Sequence, residues 1–128
     1  MGKAVIVTYQ EIRGVKPGRE ERDGFLIHSG RQAFLEGAVM PKSALKADLA
    51  SADQIFVFVG KIGMELSREF LREAKTAGKQ TFMFGCPCEE NKKRQLQKEL
   101  GIEWLVVECD NEMIHGDLLD LMACGVRR

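Results

Sequence analysis

The chain has 128 residues and a mass of 14.4 kDa, enough to bury a core within one domain spanning residues 1–128. Nineteen basic side chains balance nineteen acidic ones, so the net charge does not favour nucleic acid or an anionic membrane as a partner. Because no apolar run is long enough to span a bilayer and the N-terminus lacks the features of a signal peptide, we expect a cytoplasmic protein without a membrane partner, whose cysteines are reduced.

The first predicted element is a strand over residues 4–9, Ala-Val-Ile-Val-Thr-Tyr. Its apolar, β-branched residues do not alternate with polar ones. That pattern is typical of a strand buried on both faces in a parallel sheet. We therefore place this strand at the centre of the sheet.

Residues 10–40 carry a weaker pattern. The charged stretch from Glu11 to Asp23 predicts an exposed loop that leads into a short helical turn. The segment 25–27, Phe-Leu-Ile, fits either a short strand or the buried face of a helix, and 29–36 is a candidate helix capped by Ser29. A long irregular segment in a compact domain is often functional. The alternative is an insertion that contacts another copy of the chain in a homo-oligomer.

The rest of the chain alternates between helices and apolar strands. The predicted helices cover residues 41–52, 63–77 and 89–100, and a last helix follows a cap at Asp110 or Asn111 and includes Ile114. The strands between them are predicted at 54–59, 81–84 and 102–108. In the helix over 63–77, one apolar stripe is predicted, consisting of Leu66, Phe70, Ala74 and Ala77.

Three successive strand-then-helix units with apolar strands predict the fold class. It is a three-layer α/β fold, Rossmann-like or flavodoxin-like, with an open, mainly parallel sheet and helices on both faces. The order of the strands is not determined by the pattern. In such sheets, ligands bind outside the carboxyl ends of the strands. The ligand-binding residues predicted there are Thr8, Tyr9, Gly60, Lys61, Gly63, Gly85 and Asp110.

The turn from Gly60 to Gly63 precedes the helix over 63–77. Glycines let backbone amides approach a ligand, and the N-terminus of a helix favours an anion such as a phosphate. Lys61 would add positive charge. The turn does not have the full spacing of a dinucleotide fingerprint or of a phosphate-binding P-loop, so the alternative is a tight turn without a ligand.

The stretch 59–79, Val-Gly-Lys-Ile-Gly-Met-Glu-Leu-Ser-Arg-Glu-Phe-Leu-Arg-Glu-Ala-Lys-Thr-Ala-Gly-Lys, resembles the nucleoside 2-deoxyribosyltransferases and related nucleotide-binding Rossmann-like proteins. The resemblance extends over residues 45–84. It implies a catalytic glutamate that attacks the sugar carbon or anchors a ribose. Glu69 matches that position best and Glu65 second. The alternative for Glu69 is a solvated helix residue that pairs with Arg72.

Two cysteines, Cys86 and Cys88, follow a predicted strand and begin a helix, where the helix dipole would lower the pKa of a thiol. Cys109 ends the next strand. Together these three thiols form a candidate redox or metal site. The pattern lacks the spacing and the second pair of a typical zinc site, so the alternative is that they pack as small apolar residues.

These observations support three hypotheses for the function. The first is a small nucleotide- or nucleoside-binding protein, extended by the resemblance to an N-glycosidic hydrolase or transferase. The second is a thiol redox or metal-binding protein that uses Cys86, Cys88 and Cys109. The third is a non-catalytic, oligomerising module, because a fold of this class does not determine an activity. No particular cofactor is implied by the sequence.

Overall fold

The computed structural model describes residues 3–22, 24–34, 43–59, 71–85, 90–106, 109–110 and 113–114. The strands are β1 (Ala4–Thr8), β2 (Glu11–Ile12), β3 (Gly18–Arg22), β4 (Phe25–Ser29), β5 (Gln54–Phe58), β6 (Gln80–Gly85), β7 (Glu103–Val106), β8 (Cys109–Asp110) and β9 (Met113–Ile114). The helices are α1 (Ser43–Ser51), α2 (helical residues 71–76) and α3 (Glu90–Leu100). A 3₁₀ turn covers Arg31–Ala33.

Within the described residues, the main sheet has six strands in the order β3-β4-β1-β5-β6-β7. The five strands from β4 to β7 run parallel, and β3 pairs antiparallel with β4 at one edge. All five residues of β1 are buried. The predicted open, mainly parallel α/β sheet is confirmed, and the prediction that the first strand is central is confirmed with it.

The hairpin of β3 and β4 corrects the prediction for residues 11–23. The predicted loop and helical turn are wrong, because Gly18–Arg22 forms a strand whose Arg19 lies opposite His28 of β4. The residues of β3 alternate between half-buried and exposed, as expected for an edge strand. Charged side chains on an edge strand discourage pairing with another chain. Because β3 consists mainly of charged residues, it has no apolar pattern that would predict a strand.

The residues that follow the hairpin were predicted only in part. Residues 25–27 belong to a strand rather than to a helix face. The candidate helix from Ser29 is wrong in its described part, since Ser29 ends β4 and is followed by a single 3₁₀ turn. Gly30 precedes that turn with a φ of 76°, a conformation that glycine adopts without strain.

The sheet separates two groups of buried apolar residues. The helix-side core combines Val5, Val7, Leu26, Ile55, Val57 and Met83 of the strands with Leu45, Leu71, Ala74, Leu96 and Leu100 of the helices. The aromatic core on the other face comprises Ile6, Ile27, Phe25, Phe56, Phe58, Phe82 and Phe84, with Ile12 and Val15 of the chain after β1. The rings of Phe56 and Phe82 stack at 4.8 Å.

The placement of α1, α2 and α3 on one face follows from the strand order. The chain passes from β4 to β5, then to β6 and β7, always toward the same edge of the sheet. Because crossovers between parallel strands are right-handed, helices in three crossovers of one direction lie on the same face. Their buried residues accordingly share the helix-side core.

The end of α2 corrects one detail of the predicted apolar stripe. Leu71 and Ala74 are buried, whereas Ala77 is exposed, since it already belongs to the turn that ends the helix. Gly78 has a φ of 76°, and the amide of Lys79 donates to the carbonyl of Ala74 at 3.1 Å. This is the usual glycine-dependent helix end. The other stripe residues, Leu66 and Phe70, lie outside the described residues.

A second, small sheet has the order β2-β9-β8. It corrects the prediction that Asp110 caps a final helix, because Asp110 belongs to β8 and Ile114, predicted on that helix, belongs to β9. The two strands form an antiparallel pair beside β2. Residues 115–128, where the rest of the helix was predicted, lie outside the described residues. No helix in the described ranges is both long and apolar enough to cross a membrane.

Candidate functional site

The sheet has a topological switch point between β1 and β5. These two strands are parallel neighbours. The chain leaving β1 passes through Ile12 and Val15, which pack in the aromatic core, whereas the chain after β5 leads to α2 in the helix-side core. Connections that leave adjacent strands on opposite faces open a crevice at the carboxyl ends. We refer to the space outside Thr8 and Val59 as the switch-point crevice.

Thr8 and Tyr9 lie on the β1 side of this crevice, as predicted from the sequence. The Thr8 hydroxyl donates to the carbonyl of Gln10 at 3.0 Å and accepts from the Gln10 amide at 3.1 Å. These bonds fix the turn in which the chain leaves β1. Tyr9 is partly buried, and its ring packs against that of Phe34 with centroids 5.4 Å apart.

Gly85, another predicted ligand-binding residue, ends β6 and approaches the end of β5 closely. A Cβ atom at this position would lie 2.6 Å from the carbonyl oxygen of Val59. The amide of Val59 donates to the carbonyl of Phe84 at 2.8 Å, which holds the two strand ends together. Only glycine fits at this point, since the atom in the way belongs to the backbone.

Lys93 is a residue of this region that the sequence analysis missed. It lies on α3, is fully buried, and shares a face with Leu96 and Leu100. Its Nζ atom lies 3.4 Å from the position of a Cβ at Gly85. Lysine is almost never fully buried without a compensating contact. The sequence contains a signal for this burial, because helical spacing places Lys93, three residues before Leu96, on the same face as Leu96 and Leu100.

For the other predicted ligand-binding and catalytic residues, the structure does not test a role in the site. Gly60, Lys61, Gly63, Glu65 and Glu69 lie outside the described residues. Asp110 belongs by its backbone to the small sheet, which pairs with β2 directly after β1. Their roles therefore stay predictions.

The thiol hypothesis also stays a prediction. Cys86 and Cys88 lie outside the described residues, and Cys109 is placed by its backbone in β8. Among the residues that the structure describes, no group of three or more His, Cys, Asp or Glu side chains could hold a metal ion.

A network of three charged or polar side chains lies beneath α1. His28 Nε2 is 2.7 Å from Asp48 Oδ2, and Arg19 Nε donates to the same oxygen at 2.8 Å. His28 is 1% exposed. The network joins the hairpin of β3 and β4 to α1, because Arg19 reaches over His28 to the helix. It spans residues that are 29 positions apart in the chain, which is why no local pattern revealed it.

The charges of this network are set by Arg19. Its hydrogen bond is the main cause that holds the pKa of Asp48 below the ordinary 3.8, and the same bond raises the pKa of Arg19 above its usual value. Burial lowers the pKa of His28 below 6.5, although Asp48 opposes that shift. Because an ionised carboxylate only accepts, neutral His28 carries its hydrogen on Nε2 and donates it to Asp48. We assign this network to the stability of the fold.

Comparison with known proteins identifies the fold. No protein-family model matches the sequence, and no curated protein matches it. The structure is similar to the G-domain of FeoB from Methanococcus jannaschii. The TM-score is 0.53 and the sequence identity 14%, over 98% of this chain and 99% of the other. At this identity the likeness shows the fold, which agrees with the predicted Rossmann-like α/β class.

The fold is shared without a phosphate-binding P-loop after β1. Such a loop is rich in glycine and connects a strand to a helix. Here β1 leads to β2, and residues 9–17 contain a single glycine, Gly14. Among the described residues, Lys93 beside Gly85 and Arg31 beside Tyr9 bring positive charge near the carboxyl edge.

Proposed function

We propose that the protein binds a nucleotide or nucleoside in the switch-point crevice. The observation that carries this proposal is the buried Lys93, which brings an ammonium group to the closely packed ends of β5 and β6. A buried ammonium attracts a phosphate more strongly than an exposed one, because solvent screens it less. Gly85, which has no side chain, lets the ends of β5 and β6 and the Lys93 ammonium group come close together.

The arrangement of the fold supports the same class of ligand. Crevices at switch points of parallel sheets are the usual ligand sites of such folds. The likeness to a G-domain favours a nucleotide among the possible ligands. Thr8 and Tyr9 would form the β1 wall of the site, and the turn of Gly60, Lys61 and Gly63, which follows β5 in the chain, would form the opposite wall.

A catalytic form of the proposal adds cleavage of an N-glycosidic bond. It is supported by the resemblance of residues 59–79 to nucleoside 2-deoxyribosyltransferases, with Glu69 or Glu65 as the nucleophile. Incubation with deoxynucleosides and measurement of the released base would test it. Release of base that is lost in Glu69→Gln or Glu65→Gln would support it, and its absence in the wild type would leave a binding protein.

Binding is tested with a pair of lysine variants on α3. Lys93→Met keeps the length of the side chain and removes its charge, and Lys98→Met makes the same change at an exposed position of the same helix. We expect AMP or GMP to raise the Tm of the wild type more than adenosine or guanosine does. Calorimetric titration should show that Lys93→Met weakens monophosphate binding at least tenfold, since hydrogen bonds to charged groups contribute about 1.5–3 kcal/mol.

The control variant should bind the monophosphates as the wild type does. A wild type that binds neither nucleosides nor nucleotides would overturn the proposal. Equal affinities in the wild type and Lys93→Met would show that Lys93 does not contact the ligand. Both variants are compared at a temperature well below their own Tm, so that unfolding does not contribute to the result.

A further inference from the structure

The carboxyl end of β4, one strand beyond the switch-point crevice, buries two polar atoms that lack a partner. Ser29 is fully buried, and its hydroxyl makes no hydrogen bond within the described chain. The same holds for Oε1 of Gln10, which is buried although part of Gln10 reaches solvent. Buried polar atoms are nearly always paired in folded proteins, because leaving them unpaired destabilises the fold.

The two residues belong to one neighbourhood. Ser29 lies opposite Thr8 in the parallel pair of β4 and β1, and the amide of Gly30 donates to the carbonyl of Thr8 at 3.1 Å. Gln10 is held beside Thr8 by the two hydrogen bonds of the Thr8 hydroxyl. Those bonds also occupy the Thr8 hydroxyl, so it does not serve Ser29.

The face on which Ser29 lies follows from the alternation along the strands. Ile6 and Ile27 face each other across the pair and belong to the aromatic core. Two residues further on, Thr8 and Ser29 lie on the same face. Ser29 is therefore on the side where the chain leaves β1, away from α1 and from the His28–Asp48 contact on the helix side.

The chemistry of the two atoms selects a ligand group. The Gln10 oxygen only accepts hydrogen bonds, whereas the Ser29 hydroxyl both donates and accepts. A phosphate offers acceptors and would be repelled by the Gln10 oxygen. A hydroxyl group can donate to Gln10 and accept from Ser29 at the same time.

We propose that Ser29 and Gln10 form a subsite for a sugar hydroxyl of the ligand, which rests on the proposed binding of a nucleoside or nucleotide. Neighbouring strands are about 4.8 Å apart, so this subsite lies within one nucleoside length of the switch-point crevice. Specificity for the sugar would thus come from the end of β4.

The test combines a variant of the protein with a change in the ligand. Ser29→Ala and Gln10→Met are compared with Ser51→Ala, which removes an exposed hydroxyl that donates to the Asp48 carbonyl on α1. The probes are adenosine and guanosine with their 2′-deoxy and 3′-deoxy forms. We expect Ser29→Ala to bind the ribonucleoside at least fivefold more weakly than the wild type does. It should bind the deoxy form that lacks the contacted hydroxyl as the wild type does.

The free protein provides an independent readout. If the Ser29 hydroxyl has no partner until a ligand binds, Ser29→Ala without ligand should have an unchanged or higher Tm. A fall of about 4 °C or more would show that the hydroxyl already has a structural partner, and would overturn the subsite. Equal losses of affinity for all three sugars, or no loss, would also overturn it.

The outcomes separate the two proposals. A wild type that binds no nucleoside and no nucleotide overturns the proposed function together with the subsite. A wild type that binds them while Ser29→Ala and Gln10→Met bind equally well overturns the subsite alone. The Ser51→Ala control should match the wild type with every probe.

Discussion

Two polar residues of this protein, Lys93 and His28, are buried at positions where the surrounding pattern is apolar. Lys93 takes a position in the apolar stripe of α3, and His28 follows three apolar residues in β4. Each is buried because neighbouring groups compensate for its polarity. His28 has such a neighbour in Asp48, whose charge Arg19 balances.

The network of His28 predicts how stability depends on pH. The pKa of His28 is lowered in the folded protein, so the unfolded chain binds the proton more tightly. The contribution of His28 to the free energy of unfolding is complete above pH 6.5 and is lost as the pH falls below that value. Asp48, whose pKa is also lowered, loses its contribution only below pH 3.8. Between these two pH values, protonation of His28 should lower the free energy of unfolding by up to about 1.4 kcal/mol for each unit by which the pH falls.

Urea denaturation followed by fluorescence of Trp104, the single tryptophan, measures this slope. His28→Gln should be less stable than the wild type at pH 7.5, and its slope between pH 6.5 and 4 should be smaller. Equal slopes in both proteins would show that the protonation of another group controls the acid transition.

At the scale of elements, the ends of β5 and β6 are in close backbone contact. The amide of Val59 bonds to Phe84, and the carbonyl of Val59 occupies the space beside Gly85. Two strand ends packed without an intervening side chain position Lys93 of α3 against the sheet. The site is thus built by the contact between elements rather than by any one of them.

A methyl group at position 85 tests this contact. Gly85→Ala should lower the free energy of unfolding by about 1–3 kcal/mol, because overpacking against backbone forces the strands apart. Gly78→Ala provides the comparison, since a Cβ there meets nothing within 4 Å and the cost comes from its φ of 76° alone. That cost should be about 1 kcal/mol. Denaturant titration of Gly85→Ala without a loss of stability would contradict the close approach.

At the scale of the whole molecule, the strand order predicts that the strands differ in their protection from hydrogen exchange. β1 and β5 lie in the middle of the sheet, are almost entirely buried, and have a strand on each side. β3 is a charged edge strand, bonded on one side only. Local opening should therefore begin at β3, because few buried apolar contacts hold it.

Hydrogen exchange followed by mass spectrometry would measure this gradient. Peptides that cover residues 4–8 and 54–58 should exchange last, and those that cover 18–22 should exchange much earlier. Residues 25–29 should resemble the centre, because β4 has neighbours on both sides and is buried throughout. Equal protection of β3 and β1 would mean that the hairpin edge is covered by another chain, as the hypothesis of an oligomer requires.

Much of the fold was predictable, for a physical reason that is local. Uninterrupted apolar runs identified β1, β5, β6 and β7, since strands buried on both faces need apolar residues at every position. The apolar stripe predicted within residues 63–77 located α2. The charged hairpin and the small C-terminal sheet escaped, because two-residue strands and a solvated edge strand leave no apolar signal.

The candidate site was predictable only in part. Thr8, Tyr9 and Gly85 were found, since the carboxyl ends of strands are visible wherever the strands are. Lys93 was missed, and Ser29 was predicted as a helix cap. Both errors have one origin, which is that the role of each residue depends on a neighbour supplied by a different element.

The sequence alone thus determined the fold class, the central place of β1 and the position of Thr8, Tyr9 and Gly85 at the carboxyl ends of their strands. These properties depend on local polarity and periodicity. Tertiary structure alone decided the strand order, the switch point between β1 and β5, the burial of Lys93 beside Gly85, and the pairing of His28 with Asp48 and Arg19. They arise from contacts between elements that are distant along the chain, and neither composition nor spacing encodes which distant groups will meet.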